Sequence, residues 1–248
     1  RYVLDAESPV LRIEIEADWQ ESRRLLRVDF PTAVACPAAV TGTQFGSIER
    51  PTHPSTRWEQ ARFEFPAHRF VSLGRPGLGL AVLAADVHGW NCHGSTIGAS
   101  LLRSPVHPDP EADRGQHHIC LGLYPHSGDW RDAQVASVAE RFARPLRATG
   151  PSEPARVLEW RTTGTAQAEL AALAPCDSHP GSLIARFVEV AGGRGTIHLA
   201  GPGNVRSIVR TDALGLREFH DITPDEGVPI EPGQIVTPLG DRQGRLFG

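Results

Sequence analysis

The sequence predicts an all-β domain, an antiparallel β-sandwich with one short helix near residues 132–142. Glycine (25) and proline (21) are spread along the 248 residues as breakers between short apolar runs, which favours many turns over long helices. Several of those runs alternate apolar and polar residues with a period of two, the pattern of a half-buried strand. One stretch has a sustained helical period, at Val135, Val138, Ala139 and Phe142. A chain of this length buries roughly 70% of its extended surface, so its core needs no disulfide or metal staple.

The elements follow in order. Val10–Glu16 alternates, and Leu25–Phe30 repeats the pattern up to Pro31, giving two strands. Arg62–Phe65 alternates again and stops at Pro66; His68–Leu73 follows, then a turn region from Gly74 to Gly79. Leu80–Ala85 is a continuous apolar run of core-strand length that ends at Asp86. Ser95–Leu102 reads as a strand, Ser104–Gly115 as a polar, proline-containing loop, and His118–Tyr124 resumes the apolar pattern. The helix runs over Asp132–Phe142, with Pro145 as its stop.

Residues 147–155 have linker composition, so a subdivision into a main sandwich (1–146) and a later β segment (156–248) is expected, with a surface excursion inside one domain as the alternative. Propensity predicts a helix over Ala166–Ala174, although Leu170 and Leu173 supply only one turn of stripe. Ser182–Val190 and Thr196–Leu199 read as strands joined through Gly192-Gly193-Arg194-Gly195 as a hairpin turn. Ile208–Thr211 and Ile235–Leu239 complete the sheet.

Composition excludes several functions. Lys plus Arg is 25 and Asp plus Glu is 29, a net charge of −4, which disfavours nonspecific binding to nucleic acid or an anionic membrane. No run reaches the roughly eighteen apolar residues of a membrane helix, and the first residues carry no signal pattern, so a cytoplasmic location is expected. The start at Arg1 and the lack of Met predict that the chain begins inside a longer reading frame or after processing. Cys36, Cys92, Cys120 and Cys176 form no C-x-x-C pair; ordinary thiols are expected, although four cysteines allow three disulfide pairings.

The densest chemistry lies at Asp86, His88, Trp90, Asn91 and His93, and then at Arg103, His107, Asp109, Glu111, Asp113, Arg114, His117 and His118. The histidine spacing matches no zinc motif, and the acidic alternation lacks the order of a calcium loop, so loop bracing is the preferred reading. Paired carboxylates suit glycosidic-bond cleavage only at a suitable separation in space. Trp58, Trp90, Tyr124 and Trp130 are candidate sugar-stacking faces, with core packing as the competing role. Gly74-x-x-Gly77-x-Gly79 lacks the strand-to-helix context of a dinucleotide loop, and no serine sits in G-x-S-x-G.

Gln44–His53 (QFGSIERPTH) and Trp58–Glu64 (WEQARFE) resemble the C-terminal β-rich region of glycoside hydrolase family 38 α-mannosidases. The resemblance continues through Ala67–Phe70, Gly79–Leu83, Ser100–Pro105, Pro108–Gly115 and Leu123–Trp130, and a later segment, Leu183–Leu199 with Glu189, is similar too. It implies a supersandwich fold of the galactose mutarotase-like kind. It also implies a retaining hydrolase of terminal α-D-mannosyl residues whose zinc and aspartate nucleophile lie in an N-terminal domain absent here, so that no residue of this chain is catalytic or binds a metal. His53, Asp109, Glu111, Asp113, Arg114, His126 and Trp130 belong to the family-like loop signature, and Trp90 and Arg103 are candidate contacts of the outer substrate cleft. The implied partners are the N-terminal catalytic domain of the same chain and an α-mannoside, with homo-oligomerisation left open. A noncatalytic carbohydrate-binding module is the alternative function.

Overall fold

In the computed structural model, the structure describes residues 1–145, 158–177, 180, 182–200, 208–214, 216, 218–223 and 225–241. The chain divides into two compact units, residues 1–146 and 147–248. The expected linker at 147–155 lies outside the described residues.

The first unit contains β1 (Tyr2–Val3), β2 (Leu11–Trp19), β3 (Leu26–Pro31), β4 (Ala38–Thr43), β5 (Gly46–Pro51), α1 (Arg57–Gln60), β6 (Phe65–Pro66), β7 (Phe70–Arg75), β8 (Leu78–Ala84), β9 (Gly89–His93), β10 (Thr96–Leu102), β11 (Gly115–His126) and α2 (Val135–Ala143). Its strands form a seven-stranded sheet, β1-β2-β11-β8-β7-β4-β5, and a four-stranded sheet, β3-β10-β9-β6, all of them paired antiparallel.

Alternation along the strands builds the core between these sheets. Ile13, Val71, Leu73, Val82, Ala84 and Leu121 come from the larger sheet, and Trp90, Cys92, Ile97 and Ala99 from the smaller. The other face of the larger sheet receives α2, whose Val135, Val138 and Ala139 are buried. The Phe142 ring lies against Gly122 of β11, where an added Cβ would come within 2.9 Å of it.

Two expectations in this unit need correction. The alternating Arg62–Phe65 yields only the two-residue β6, because a capping box precedes it. Thr56 Oγ1 accepts from Glu59 N at 3.2 Å, while Glu59 Oε2 accepts from Thr56 N at 2.9 Å, and this starts the helical turn α1. The second helix begins at Val135 instead of Asp132, since Gln134 takes a left-handed conformation (φ 50).

The second unit contains β12 (Glu159–Gly164), β13 (Ala168–Pro175), β14 (Ser182–Glu189), β15 (Gly195–Ala200), β16 (Ile208–Thr211), β17 (Glu218–Ile222), β18 (Val228–Ile230) and β19 (Ile235–Asp241). They form a three-stranded sheet, β12-β15-β18, and a five-stranded sheet, β13-β14-β19-β16-β17. Phe187, Ile197, Ile208, Val228, Ile230 and Val236 fill its core.

Two further expectations fail here. Ala166–Ala174 is not helical: β13 pairs with β14, and a register shift between Leu170 and Ala172 breaks its alternation, which disguised the strand in the sequence. Gly192–Gly195 is not a hairpin turn, because β14 and β15 lie in different sheets. The loop instead returns to the end of β12: Thr165 N and Ala166 N both donate to Arg194 O, at 2.9 and 3.2 Å. A Cβ on Gly195 would lie 1.8 Å from Thr163 O, so only glycine allows that approach.

Candidate functional site

Three prolines between β10 and β11, Pro105, Pro108 and Pro110, prevent residues 103–114 from entering a sheet, so side chains must satisfy the loop's amides. Asp113 does most of this. Its Oδ2 accepts from Arg103 N at 2.8 Å and Ser104 N at 3.0 Å, and its own carbonyl lies 2.8 Å from His117 Nε2. Asp113 has φ 62, a strained value for a non-glycine residue, held by these bonds from both ends. Asp109 Oδ1 accepts from Glu111 N at 2.9 Å, closing a local turn. Glu111 pairs with Arg114 at 3.8 Å. The Trp19 indole donates to Ser104 Oγ and anchors the loop on β2.

Each of the three acidic residues thus has its own local partner, and they do not converge as a pair of acids or as a cation cage. Among the described residues no three His, Cys, Asp or Glu side chains come together in a way that could hold a metal ion. The loop presents both signs outward: Arg103 is exposed and the Arg114 side chain is 40% exposed, beside Glu111 at 78%.

Trp90 sits elsewhere. It lies on β9 opposite Ala99 and Phe65, has no exposed surface, and donates from Nε1 to Val87 O at 3.1 Å. The expected cleft contact at Trp90 is corrected to a core role: β9 turns its ring between the sheets, leaving no face for a saccharide. Trp58 is 81% exposed on α1, and Tyr124 donates to Ala133 O at 2.9 Å, tying β11 to the segment before α2.

The remaining signature residues border two cavities. His53 is exposed, its Nδ1 2.9 Å from Thr52 Oγ1, and it lines a cavity of about 340 Å³ together with Arg50, Arg62, Glu64 and Asn91. Arg50 stacks over Phe65 at 4.8 Å, and burial, with the nearby charge of Arg62, lowers its pKa. A second cavity, of about 580 Å³, is lined by Val40, Glu49, Ser72, Arg75, Asp129 and Trp130, among others. Behind it His126 is buried, its Nε2 3.2 Å from Ser72 Oγ. Burial lowers the His126 pKa, with the Gly128 backbone and the Asp129 charge opposing.

The His126 ring occupies the space that a side chain on Gly79 would need, since a Cβ there would lie 2.1 Å from the imidazole. Gly74–Gly79 is expected from the sequence as a turn region whose glycines lack the context of a dinucleotide loop. The usable signal was glycine at two strand positions that face each other across β7 and β8. Ser72, Glu49 and Arg75 carried no sequence signal, because strand register alone brings them to one place.

The model of the glycosyl hydrolases family 38 C-terminal domain matches residues 1–111. Human alpha-mannosidase 2C1 is 40% identical over 158 residues, covering 64% of this chain and 15% of that protein. Alpha-mannosidase G of Dictyostelium discoideum is 43% identical over 122 residues, 49% of this chain and 11% of that protein.

Residues 1–111 carry the C-terminal domain of the glycosyl hydrolases family 38.

The chain spans about 15% of the length of the 2C1 relative. The family 38 likeness also extends to fold. The crystal structure of an alpha-mannosidase from Enterococcus faecalis V583 superposes with a TM-score of 0.76 at 18% identity, over 96% of this chain and 28% of that one. The all-β antiparallel expectation is borne out on both counts. Among the described residues, Cys36, Cys92 and Cys120 are free thiols, and no helix is long and apolar enough to cross a membrane.

Proposed function

We propose that this chain is the C-terminal β region of a larger retaining α-mannosidase that hydrolyses terminal α-D-mannosyl residues. Its role is to complete the hydrolase fold around an N-terminal catalytic domain of the same chain and to supply part of the outer substrate cleft. The observation that carries the reading is the family match at residues 1–111, joined to relatives named alpha-mannosidases of which this chain spans about 15%. The acid, nucleophile and zinc of such a reaction belong, on this reading, to the N-terminal domain.

Loop 103–114 is the element of this chain best suited to a cleft. Asp113 fixes its path, and Arg103 and Arg114 offer directed N–H donors to sugar oxygens. Trp90 takes no part, being enclosed. The deciding experiment is to express the intact reading frame, a form lacking residues 1–248, and residues 1–248 alone, and to assay each with zinc against a panel of α-mannosides. Turnover by the intact protein only is the expected result. Full activity without residues 1–248, or no mannosidase activity in the intact protein, sinks the reading. In the intact enzyme Arg103→Ala should raise KM with the fold retained; unchanged kinetics would remove Arg103 from the cleft.

A further inference from the structure

The segment between β11 and α2 leaves a polar donor stranded beside an open cavity. Trp130 is 5% exposed, and its indole N–H is buried without an acceptor. Buried donors are almost always paired, so an orphan of this kind calls for a specific explanation. The residue forms part of the wall of the cavity of about 580 Å³ that opens over β4, β5 and β7, a size within the range of ligand pockets, about 300–1,000 Å³. The Arg131 guanidinium lies over the indole, 4.5 Å from the ring centroid, and 3.5 Å from the Asp129 carboxylate.

The wall charges select the ligand. Glu49, Asp129 and Asp132 face the cavity together with Arg75 and Arg131. An anion entering it meets three carboxylates, and a cation meets two guanidiniums. A neutral molecule bearing several hydroxyls avoids both penalties, because each hydroxyl donates to a carboxylate while accepting from a guanidinium or from the indole N–H. Val40 and Pro76 add apolar surface for a C–H face. These are the requirements of a saccharide.

We propose that this cavity is a binding site for a neutral saccharide, in which the Trp130 indole N–H is the buried donor and Glu49, Arg75 and Arg131 are the rim contacts. Binding draws Arg131 from the indole toward the ligand. The site goes beyond the hydrolase reading and does not depend on it, since every group it uses lies within residues 1–146.

The test uses the 248-residue chain labelled with ¹⁵N. The indole resonance of Trp130, assigned by its loss in Trp130→Phe, is followed during titration with mannobiose and cellobiose, with glucuronate and glucosamine as charged comparators. At least one neutral disaccharide should produce a saturable downfield shift at millimolar concentration, and both charged sugars should bind more weakly. Glu49→Gln and Arg75→Ala, at exposed positions, should each weaken binding about five- to tenfold with an unchanged melting temperature. An indole resonance that stays in place with both disaccharides would overturn the proposal. Equal binding of the charged sugars, or wild-type affinity in both rim variants, would overturn it as well.

Discussion

Each unit has a fully enclosed large side chain with a polar tip, and the two hold it by opposite means. In residues 1–146 it is Trp90, whose single donor is met by one carbonyl, Val87 O at 3.1 Å, while the ring is gripped by apolar neighbours from both sheets. In residues 147–248 it is Glu189, with no exposed surface, whose Oε1 accepts from Gln167 N and Ala191 N and whose Oε2 accepts from Gly192 N and Gly233 N, at 2.7–3.2 Å. An indole is held by volume; a carboxylate is held by the amides of three separate loops. The first unit is thus secured through packing, and the second through backbone segments that converge on one charge.

The largest effect should come from Trp90→Ala. Removing a fully enclosed indole costs about 3–5 kcal/mol, because the surrounding strands cannot close the gap. Hydrogen exchange resolved by residue should show lost protection across β7–β10 and an unchanged second unit. Equal loss in both units would break the contrast between them.

Glu189→Gln comes next, at about 2 kcal/mol. The amide keeps one acceptor but turns its NH₂ toward backbone donors, leaving some of them unpaired. The protection lost should be at Gln167, Ala191, Gly192 and Gly233, in three places far apart in sequence. Loss confined to residues 191–192 would show that the carboxylate only braces its own loop.

Acid should separate the units without any mutation. His126 and His68 both have pKa values lowered from 6.5, chiefly by burial. The folded first unit therefore resists protonation, and the stability it holds above pH 6.5 declines as pH falls from 6.5 toward the folded values. The Glu189 pKa is lowered from 4.5: desolvation opposes ionisation, but the backbone amides outweigh it. Its contribution is present above pH 4.5 and is lost as pH falls further, through the folded value. Between pH 6.5 and 4.5 the first unit alone should weaken, which exchange rates measured across that window would show. If the second unit weakens first, the assignment of these charges is wrong.

The same contrast explains which parts of the molecule were legible. Strands with a clean period of two, such as Leu11–Trp19 and Leu26–Pro31, announce themselves because each buries one face. The strand at Ala168–Pro175 did not, because helix-forming Ala, Glu and Leu share it with a register shift. The path of Gly192–Gly195 depends on Glu189 and Arg194 meeting residues 165–167, a contact that no local pattern encodes. At the candidate sites, the motifs located the loop at 103–114 and the turn at Trp130. Whether Trp90 faced a cleft or the core was decided by the register of β9 on β10, which the sequence leaves open.

The smallest expected effect on stability is at the loop that the proposed function needs most. Asp113→Ala removes the acceptor for Arg103 N and Ser104 N, at a part-exposed position where water can replace it, so a loss of about 1 kcal/mol is expected. The cores of both units should keep their exchange protection, while the amides of Arg103 and Ser104 exchange faster. Asp113→Asn, which retains an oxygen acceptor, should restore most of that protection. In the intact enzyme the same pair of variants separates loop from core: Asp113→Ala should impair kcat/KM out of proportion to its small effect on stability, with Asp113→Asn between it and the wild type. Wild-type kinetics in Asp113→Ala, with the two amides shown to be released, would mean that the path of loop 103–114 does not matter to turnover.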